Sequence, residues 1–116
     1  MIIFFAVHFK KQLMHLKKKY PHIKEGFLRV IDFIDLHNEI YIGRSIYKIR
    51  ISSTDMKRGK SGGFRAYMYL YLKKDLLVPL CIYTKSQTES ITENELKYHF
   101  DEVSRQLFAD LKDNSE

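Results

Sequence analysis

The spacing of hydrophobic positions predicts the first elements of the chain. An apolar run at residues 2–7 predicts a first β-strand. Apolar side chains then recur at helical spacing over residues 9–20 and again over residues 23–34. Pro21 lies between the two runs and ends the first of them. The pattern therefore predicts two amphipathic helices joined by a tight turn, a helical hairpin that packs on a sheet.

From Ser45 onward the hydrophobic period changes to two, which is the period of a half-buried strand. Alternating runs cover residues 45–52, 64–72 and 78–85. Pro79 lacks a backbone N–H, so the last of these strands is expected to have an edge or a bulge near its start. Strict alternation would give this strand two different faces, with Val78, Leu80 and Ile82 on one and Cys81, Tyr83 and Lys85 on the other.

A final helix is predicted from Thr92 onward. Thr92 and Glu95 have the spacing of a capping box, and a helical stripe of apolar residues follows as far as Leu111. The predicted order is β-α-α-β-β-β-α, and 116 residues have room for a single domain, residues 1–116. This order predicts an α+β fold in which helices cover one face of an antiparallel sheet of about four strands.

The charge balance suggests a polyanionic partner, and the alternative is a soluble protein that is basic without such a partner. Twenty Lys and Arg against fourteen Asp and Glu give a net charge of +6, which suits nucleic acid, an acidic protein or a membrane surface. The single cysteine excludes an intramolecular disulfide and fits a reducing compartment. The apolar start is too short to span a bilayer and no basic segment precedes it. A soluble, cytoplasmic protein is therefore expected.

Alternation gives the predicted sheet a second face that is rich in cations and aromatic rings. Cations can bind phosphates and tyrosines can stack on bases, so this face suits RNA. No Asp or Glu falls in the set, which comprises Lys48, Arg50, Arg65, Tyr67, Tyr69, Cys81, Tyr83 and Lys85. The adjoining glycine-containing stretch adds three candidate RNA-binding cations, Lys57, Arg58 and Lys60. The alternative is an ordinary solvated sheet face. Cys81 is expected to be a small packing residue and is assigned no chemistry.

Several motifs in this part of the chain resemble those of the RelE/HigB-like toxins of bacterial toxin–antitoxin modules. The motifs are Tyr-Lys-Ile-Arg-Ile at 47–51, Lys-Arg-Gly-Lys-Ser-Gly-Gly-Phe-Arg at 57–65 and Ile-Tyr-Thr-Lys-Ser at 82–86. Residues 18–23 also resemble the family's first helix turn, and residues 91–95 resemble the start of its final helix. The resemblance implies a RelE-like toxin fold. It also implies a ribosome-dependent endoribonuclease that cleaves mRNA, inhibits translation and uses no metal or other cofactor. A cognate antitoxin protein would neutralise it.

The resemblance also suggests roles for individual residues. Lys48 matches the family's strand lysine and is the candidate base, and Arg65 matches the arginine that binds phosphate. Arg50 would orient the scissile group, and Lys85 with Tyr83 would supply the acid or further substrate contacts. The chain departs from the family where the last strand has Lys85 instead of an arginine. No residue clearly matches the family's catalytic C-terminal tyrosine, because Tyr98 lies within the predicted final helix.

Other interpretations remain open at this point. Residues 40–45 resemble half of a GIY-YIG nuclease signature, but Leu28 stands where that family has its catalytic tyrosine. A metal-dependent nuclease would need clustered carboxylates, and the acids here lie mostly in the predicted helices. The five histidines show no clear metal-binding spacing. The chain could also be a catalytically weak RNA- or ribosome-binding relative of the toxins, or an unrelated basic protein-interaction domain.

Overall fold

A computed structural model describes residues 1–52 and 63–113 of the chain. Its helices are α1 (Val7–Lys17), α2 (Ile23–Asp32) and α3 (Glu93–Asp113). Its strands are β1 (Ile2–Ile3), β2 (Ile40–Gly43), β3 (Ile46–Ile51), β4 (Phe64–Tyr71) and β5 (Leu76–Thr84). Short 3-10 turns occupy Leu36–Asn38 and Leu72–Lys74. None of the helices in these described ranges is long and apolar enough to cross a membrane. The α+β class and the order of the predicted elements are confirmed.

The sheet is larger and less uniform than the sequence pattern predicts. Five strands lie in the order β1-β5-β4-β3-β2, and β1 runs parallel to β5 whereas the other pairs are antiparallel. The predicted sheet of about four antiparallel strands therefore lacked β2 and the parallel edge. Ile40, Tyr41 and Ile42 are all exposed at the β2 edge, so this strand has no alternation to reveal it. The first strand ends at Ile3 because α1 already begins at Val7.

One face of the sheet packs on the helical hairpin, as predicted. Phe9 and Leu13 of α1 and Phe27 of α2 belong to a buried cluster with the alternating apolar residues of β3 and β4. Those strand residues are Ile49, Ile51, Phe64, Ala66 and Met68. Burying several large side chains of this kind stabilises the fold by about 1.5–3 kcal/mol each. The helical hairpin is therefore held mainly by this apolar contact.

The other face of the sheet packs on α3, so the prediction that helices cover only one face is wrong. Val103 and Leu107 of α3 belong to a second buried cluster with Val78 and Leu80 of β5. The ring of Tyr69 lies edge-on to Phe100, with 5.1 Å between ring centroids. The apolar stripe of α3 is thus buried against the aromatic half of this sheet face.

A bulge in β5 changes which residues share a face. Tyr67 pairs with Cys81 and Met68 pairs with Pro79, which leaves Leu80 without a partner on β4. The expected irregularity near Pro79 is confirmed. Its consequence differs from strict alternation, because the extra residue places Leu80 on the same face as Cys81.

Candidate nucleic-acid interface

The strand register brings the candidate catalytic residues to one end of the sheet face that packs on α3. Arg50 of β3 pairs with Arg65 of β4, and Arg65 in turn pairs with Tyr83 of β5. Lys48 lies one pleat away, opposite Tyr67. Paired residues of neighbouring strands point to the same face, so these side chains are neighbours. We call Lys48, Arg50, Arg65, Tyr83 and Lys85 the cationic cluster.

The segment that follows β5 crosses the cationic cluster and binds three of its members. The Lys48 ammonium donates to the Glu89 carbonyl oxygen and to the Ser90 hydroxyl, at 2.8 Å each. The Tyr83 hydroxyl donates to the same Glu89 carbonyl at 3.4 Å. The Lys85 ammonium lies 3.9 Å from the Glu89 carboxylate. Side chains from β3 and from the end of β5 therefore converge on one residue, Glu89.

Exposure differs widely within the cluster. Arg50 is exposed, and Lys48 and Lys85 are half-buried. Arg65 is only 4% exposed, and its guanidinium donates to the Phe64 carbonyl at 3.2 Å. Tyr83 is 9% exposed. The expectation that helices leave this face uncovered is therefore wrong, because Arg65 on β4 and Tyr83 on β5 are covered. The cations around them reach solvent.

Tyr67, which the sequence suggested as an RNA contact, is not available to a base in the free chain. It is 4% exposed, and its ring stacks on that of Tyr83 with 6.1 Å between centroids. Both rings belong to the buried cluster against which Ile91 and Leu96 pack. The hydroxyl group makes tyrosine suitable for a solvated surface, but here both rings are buried. The other candidate RNA contacts, Lys57, Arg58 and Lys60, lie outside the described residues.

Burial sets the protonation of two groups on this face. Burial, followed by the hydrogen bond to Tyr67, raises the pKa of Tyr83 well above its usual range, against the opposing effect of Arg65. Tyr83 is therefore a proton donor and not a base at neutral pH. Burial raises the pKa of the Cys81 thiol to about 12, so this cysteine is no nucleophile.

A glycine fixes the geometry at this end of the sheet. Gly63 has a φ of +94°, and a Cβ built there would lie 2.9 Å from the backbone oxygen of Ile51. Its own carbonyl accepts a hydrogen bond of 3.2 Å from the backbone N–H of Lys85. Only glycine tolerates both the conformation and the close approach. Gly63 therefore helps to position Arg65, two residues later on β4, and Lys85, directly after β5.

The sequence analysis missed Glu89 and Ser90. The only signal for Glu89 was an acid four positions after Lys85, and Ser90 gave none. Tyr98 lies on α3 as expected, but its ring contacts His8 and His99 and not the cationic cluster. Within residues 1–52 and 63–113, no three His, Cys, Asp or Glu side chains form a group that could hold a metal ion.

Comparisons with known proteins find similarity among solved structures alone. No family model matches the chain, and no curated protein matches it either. Among solved structures, a mutant of the E. coli toxin RelE in the free state is similar, with 14% sequence identity and a TM-score of 0.47. The match covers 90% of this chain and 95% of that one. The function is therefore argued from the residues of this chain.

Proposed function

We propose that this chain is a RelE/HigB-like toxin, an endoribonuclease that cleaves mRNA on the ribosome and is neutralised by a cognate antitoxin. One observation carries the proposal: cations from the neighbouring strands β3 and β4 and from Lys85, directly after β5, gather at one end of one sheet face. Like charges on neighbouring strands destabilise a sheet, so their presence together suggests that they have a function. Binding a phosphate is the purpose that this chemistry suits best. The motifs at 47–51, 57–65 and 82–86 support the same assignment.

The proposed reaction is an attack by a ribose 2′-hydroxyl on the adjacent phosphorus. The 2′-oxygen–phosphorus bond forms and the phosphorus–5′-oxygen bond breaks, which leaves a 2′,3′-cyclic phosphate and a 5′-hydroxyl. Lys48 is the proposed general base, which accepts the proton of the 2′-hydroxyl. Arg50 contacts the phosphoryl oxygens, and Arg65 stabilises their growing charge. Lys85 or Tyr83 returns a proton to the departing 5′-oxygen. No metal or other cofactor takes part.

RNA must replace Glu89 and Ser90 as the acceptor for the cationic cluster. In the free chain the Lys48 ammonium is bound to these two residues, and Lys85 faces the Glu89 carboxylate. A phosphate offers Lys48 charged oxygen acceptors in place of a neutral carbonyl and hydroxyl, so it competes well for this donor. The proposed substrate therefore enters where residues 85–91 now cross the sheet. Ribosome, mRNA and antitoxin are the proposed partners, and the bacterial cytoplasm is the proposed location.

A translation assay tests the proposed function. Purified protein is added to a translating reporter mRNA, and primer extension maps any cuts with and without ribosomes. We expect cuts that require ribosomes and fall about 100-fold or more in rate in Lys48→Gln, the typical effect of removing a general base. Lys73→Gln is the matched control, because Lys73 is exposed at the opposite end of β4.

The outcomes separate the alternatives. Intact mRNA together with salt-sensitive RNA binding would replace the nuclease proposal with a binding-only role. Absence of any RNA or ribosome binding would instead favour the basic protein-interaction domain. Equal cleavage by Lys48→Gln and wild type would remove Lys48 from the reaction. Circular dichroism of each variant shows whether a loss of activity is a loss of fold.

A further inference from the structure

The two edges of the sheet differ in how their backbone groups are satisfied. At one edge, β1 pairs with the start of β5, and side chains continue the pairing along β5. The Gln12 amide nitrogen donates to the Leu80 carbonyl at 3.4 Å, and the Gln12 oxygen accepts from the Ile82 N–H at 3.0 Å. The Gln87 side chain accepts from the Thr84 N–H at 3.2 Å. This edge is therefore closed along most of its length.

The opposite edge, formed by β2, is open. Among residues 1–52 and 63–113, only β3 hydrogen-bonds to the backbone of residues 40–42. Ile40, Tyr41 and Ile42 are 61%, 56% and 42% exposed. The strand contains neither a proline nor a charged residue, which are common features of edge strands that do not pair further. An apolar, uncharged edge of this kind can accept another strand.

We propose that a second copy of the chain pairs with this edge through its own β2. Two identical strands that run antiparallel about a two-fold axis form a self-complementary contact, because each strand offers the other the same groups in reverse order. The register that keeps residues 40–42 paired places Tyr41 opposite the Tyr41 of the second copy. It also places Ile40 opposite the Ile42 of the second copy. The two five-stranded sheets would then form one continuous sheet.

Charges at the two ends of β2 favour antiparallel pairing with a copy. Glu39 directly precedes the strand, and Arg44 directly follows it. Antiparallel pairing brings the Glu39 end of each strand to the Arg44 end of the other, so opposite charges meet at both ends of the contact. Neither residue has an ion pair within the described part of the chain. Parallel pairing would instead bring like charges together.

The size of the contact indicates a weak dimer. The four residues of β2 span about 13 Å, and a contact of this length buries less than the roughly 1,000 Å² of a stable interface. The net charge of +6 on each copy also opposes association. Dimerisation should therefore require a high protein concentration.

The symmetry has a consequence for the cationic cluster. A two-fold axis between antiparallel strands stands perpendicular to the sheet, so equivalent faces of the two copies lie on the same side. Both cationic clusters would therefore lie on one side of the joined sheet. The proposed dimer does not depend on the nuclease function. RNA is a poor occupant of the edge itself, because residues 40–42 carry no cation and a strand edge pairs with N–H and C=O groups in alternation.

Analytical ultracentrifugation of the full chain tests the proposal. The concentration range is about 10 µM to about 1 mM, which brackets a dissociation constant on the order of 100 µM for a weak interface. We expect the weight-average mass to rise from that of a monomer towards that of a dimer. Hydrogen exchange at residues 40–42 should become slower over the same range. In a mixture of isotope-labelled and unlabelled chains, NMR should detect contacts between Ile40 of one copy and Ile42 of the other.

Variants decide whether β2 forms the contact. Ile40→Lys should weaken dimerisation about tenfold, because it introduces a charge at the paired edge. Ile2→Lys is the matched control, because Ile2 is 66% exposed and lies on β1 at the opposite edge of the sheet. Arg44→Glu should also weaken dimerisation, and the double variant Glu39→Arg/Arg44→Glu should restore it, because the opposite charges are then exchanged. Circular dichroism checks that each variant is folded.

Three results would overturn the proposal. The first is a chain that remains a monomer at the highest concentration. The second is a dimer that Ile40→Lys and Ile2→Lys weaken equally, or one that the double variant does not restore. The third is slower hydrogen exchange at residues 40–42 only when an RNA or another protein is added, since the edge would then have a different occupant.

Discussion

Glu89 shows how one residue can determine the state of a charged site. Its backbone carbonyl binds Lys48 and Tyr83, and its carboxylate faces Lys85. The backbone contacts depend only on the path of the chain, whereas the carboxylate adds a negative charge to a surface that otherwise attracts phosphate. These two contributions can be separated, because a glutamine at this position keeps the backbone and removes the charge.

Glu89→Gln should therefore strengthen RNA binding. The Glu89 carboxylate is 65% exposed and 3.9 Å from the Lys85 ammonium, a distance at which an exposed ion pair is worth at most about 1 kcal/mol. Its removal should raise the affinity for a short single-stranded RNA by about two- to fivefold, measured by fluorescence anisotropy at low salt. Glu25→Gln, on an exposed face of α2, is the control. An equal gain in the control, or no gain in Glu89→Gln, would contradict a local effect.

At the scale of elements, two histidines join α1 to α3. The His8 Nε2 and His99 Nδ1 atoms are 2.7 Å apart, so one ring donates a hydrogen bond to the other. This hydrogen bond requires at least one neutral ring as acceptor. Burial is the main cause that lowers the pKa of both histidines. Lys11 lowers the pKa of His8 further, whereas Glu102 raises it; Glu95 raises that of His99.

The contact between α1 and α3 should therefore weaken in acid. Both histidines have a lower pKa in the folded chain than the usual 6.5, so the unfolded chain binds protons first as the pH falls. The contribution of the two histidines to the free energy of unfolding should be at its maximum above pH 6.5 and should decrease below it. Urea denaturation at pH 7.5 and 5.5 measures this decrease. It should be smaller in His8→Gln than in the control His37→Gln, which changes an exposed histidine in the 3-10 turn after α2. Equal decreases in both variants would exclude the histidine pair as the cause.

The sequence predicted those elements whose signal is local. The capping box is present: the backbone N–H of Thr92 donates to the Glu95 carboxylate and the N–H of Glu95 to the Thr92 hydroxyl, both at 3.1 Å. The helical hairpin and the three alternating strands are likewise set by side-chain spacing within each element. The parallel pairing of β1 with β5 joins residues more than seventy positions apart. No local pattern encodes such a contact.

Periodicity also could not show which face α3 covers. Its apolar stripe is evident in the sequence, but the stripe carries no information about its partner. Tyr67 and Tyr69 look suitable for a wet RNA-binding face because tyrosine is amphipathic. In the structure they lie in or against the buried cluster that includes Val103 and Leu107. An aromatic residue on an alternating strand therefore does not show whether that face binds a ligand or packs against a helix of the same chain.

At the scale of the whole molecule, the face on which the site residues lie can be predicted from the sequence, whereas their exposure to solvent cannot. Alternation correctly places Lys48, Arg50 and Arg65 on one face, because neighbouring strands in register share their pleat. The burial of Arg65 and the contact of Lys48 with Ser90 depend on the path of the chain after β5. That path depends on long-range packing, so the shared face of these cations was predictable and their accessibility was not.

The salt dependence of RNA binding tests this accessibility across the whole molecule. The net charge of +6 would attract any polyanion, but only cations that meet phosphates release condensed counterions. Lys48, Arg50 and Lys85 reach solvent and Arg65 does not, so single-stranded RNA should bind with a log–log slope of about −2, at about 0.7 per contact. Arg50→Gln should reduce the slope by about 0.7 and Lys73→Gln should not change it, as anisotropy titrations from low to high salt can measure. Equal slopes in both variants would mean that RNA binds through the diffuse positive charge of the protein and not through the cationic cluster.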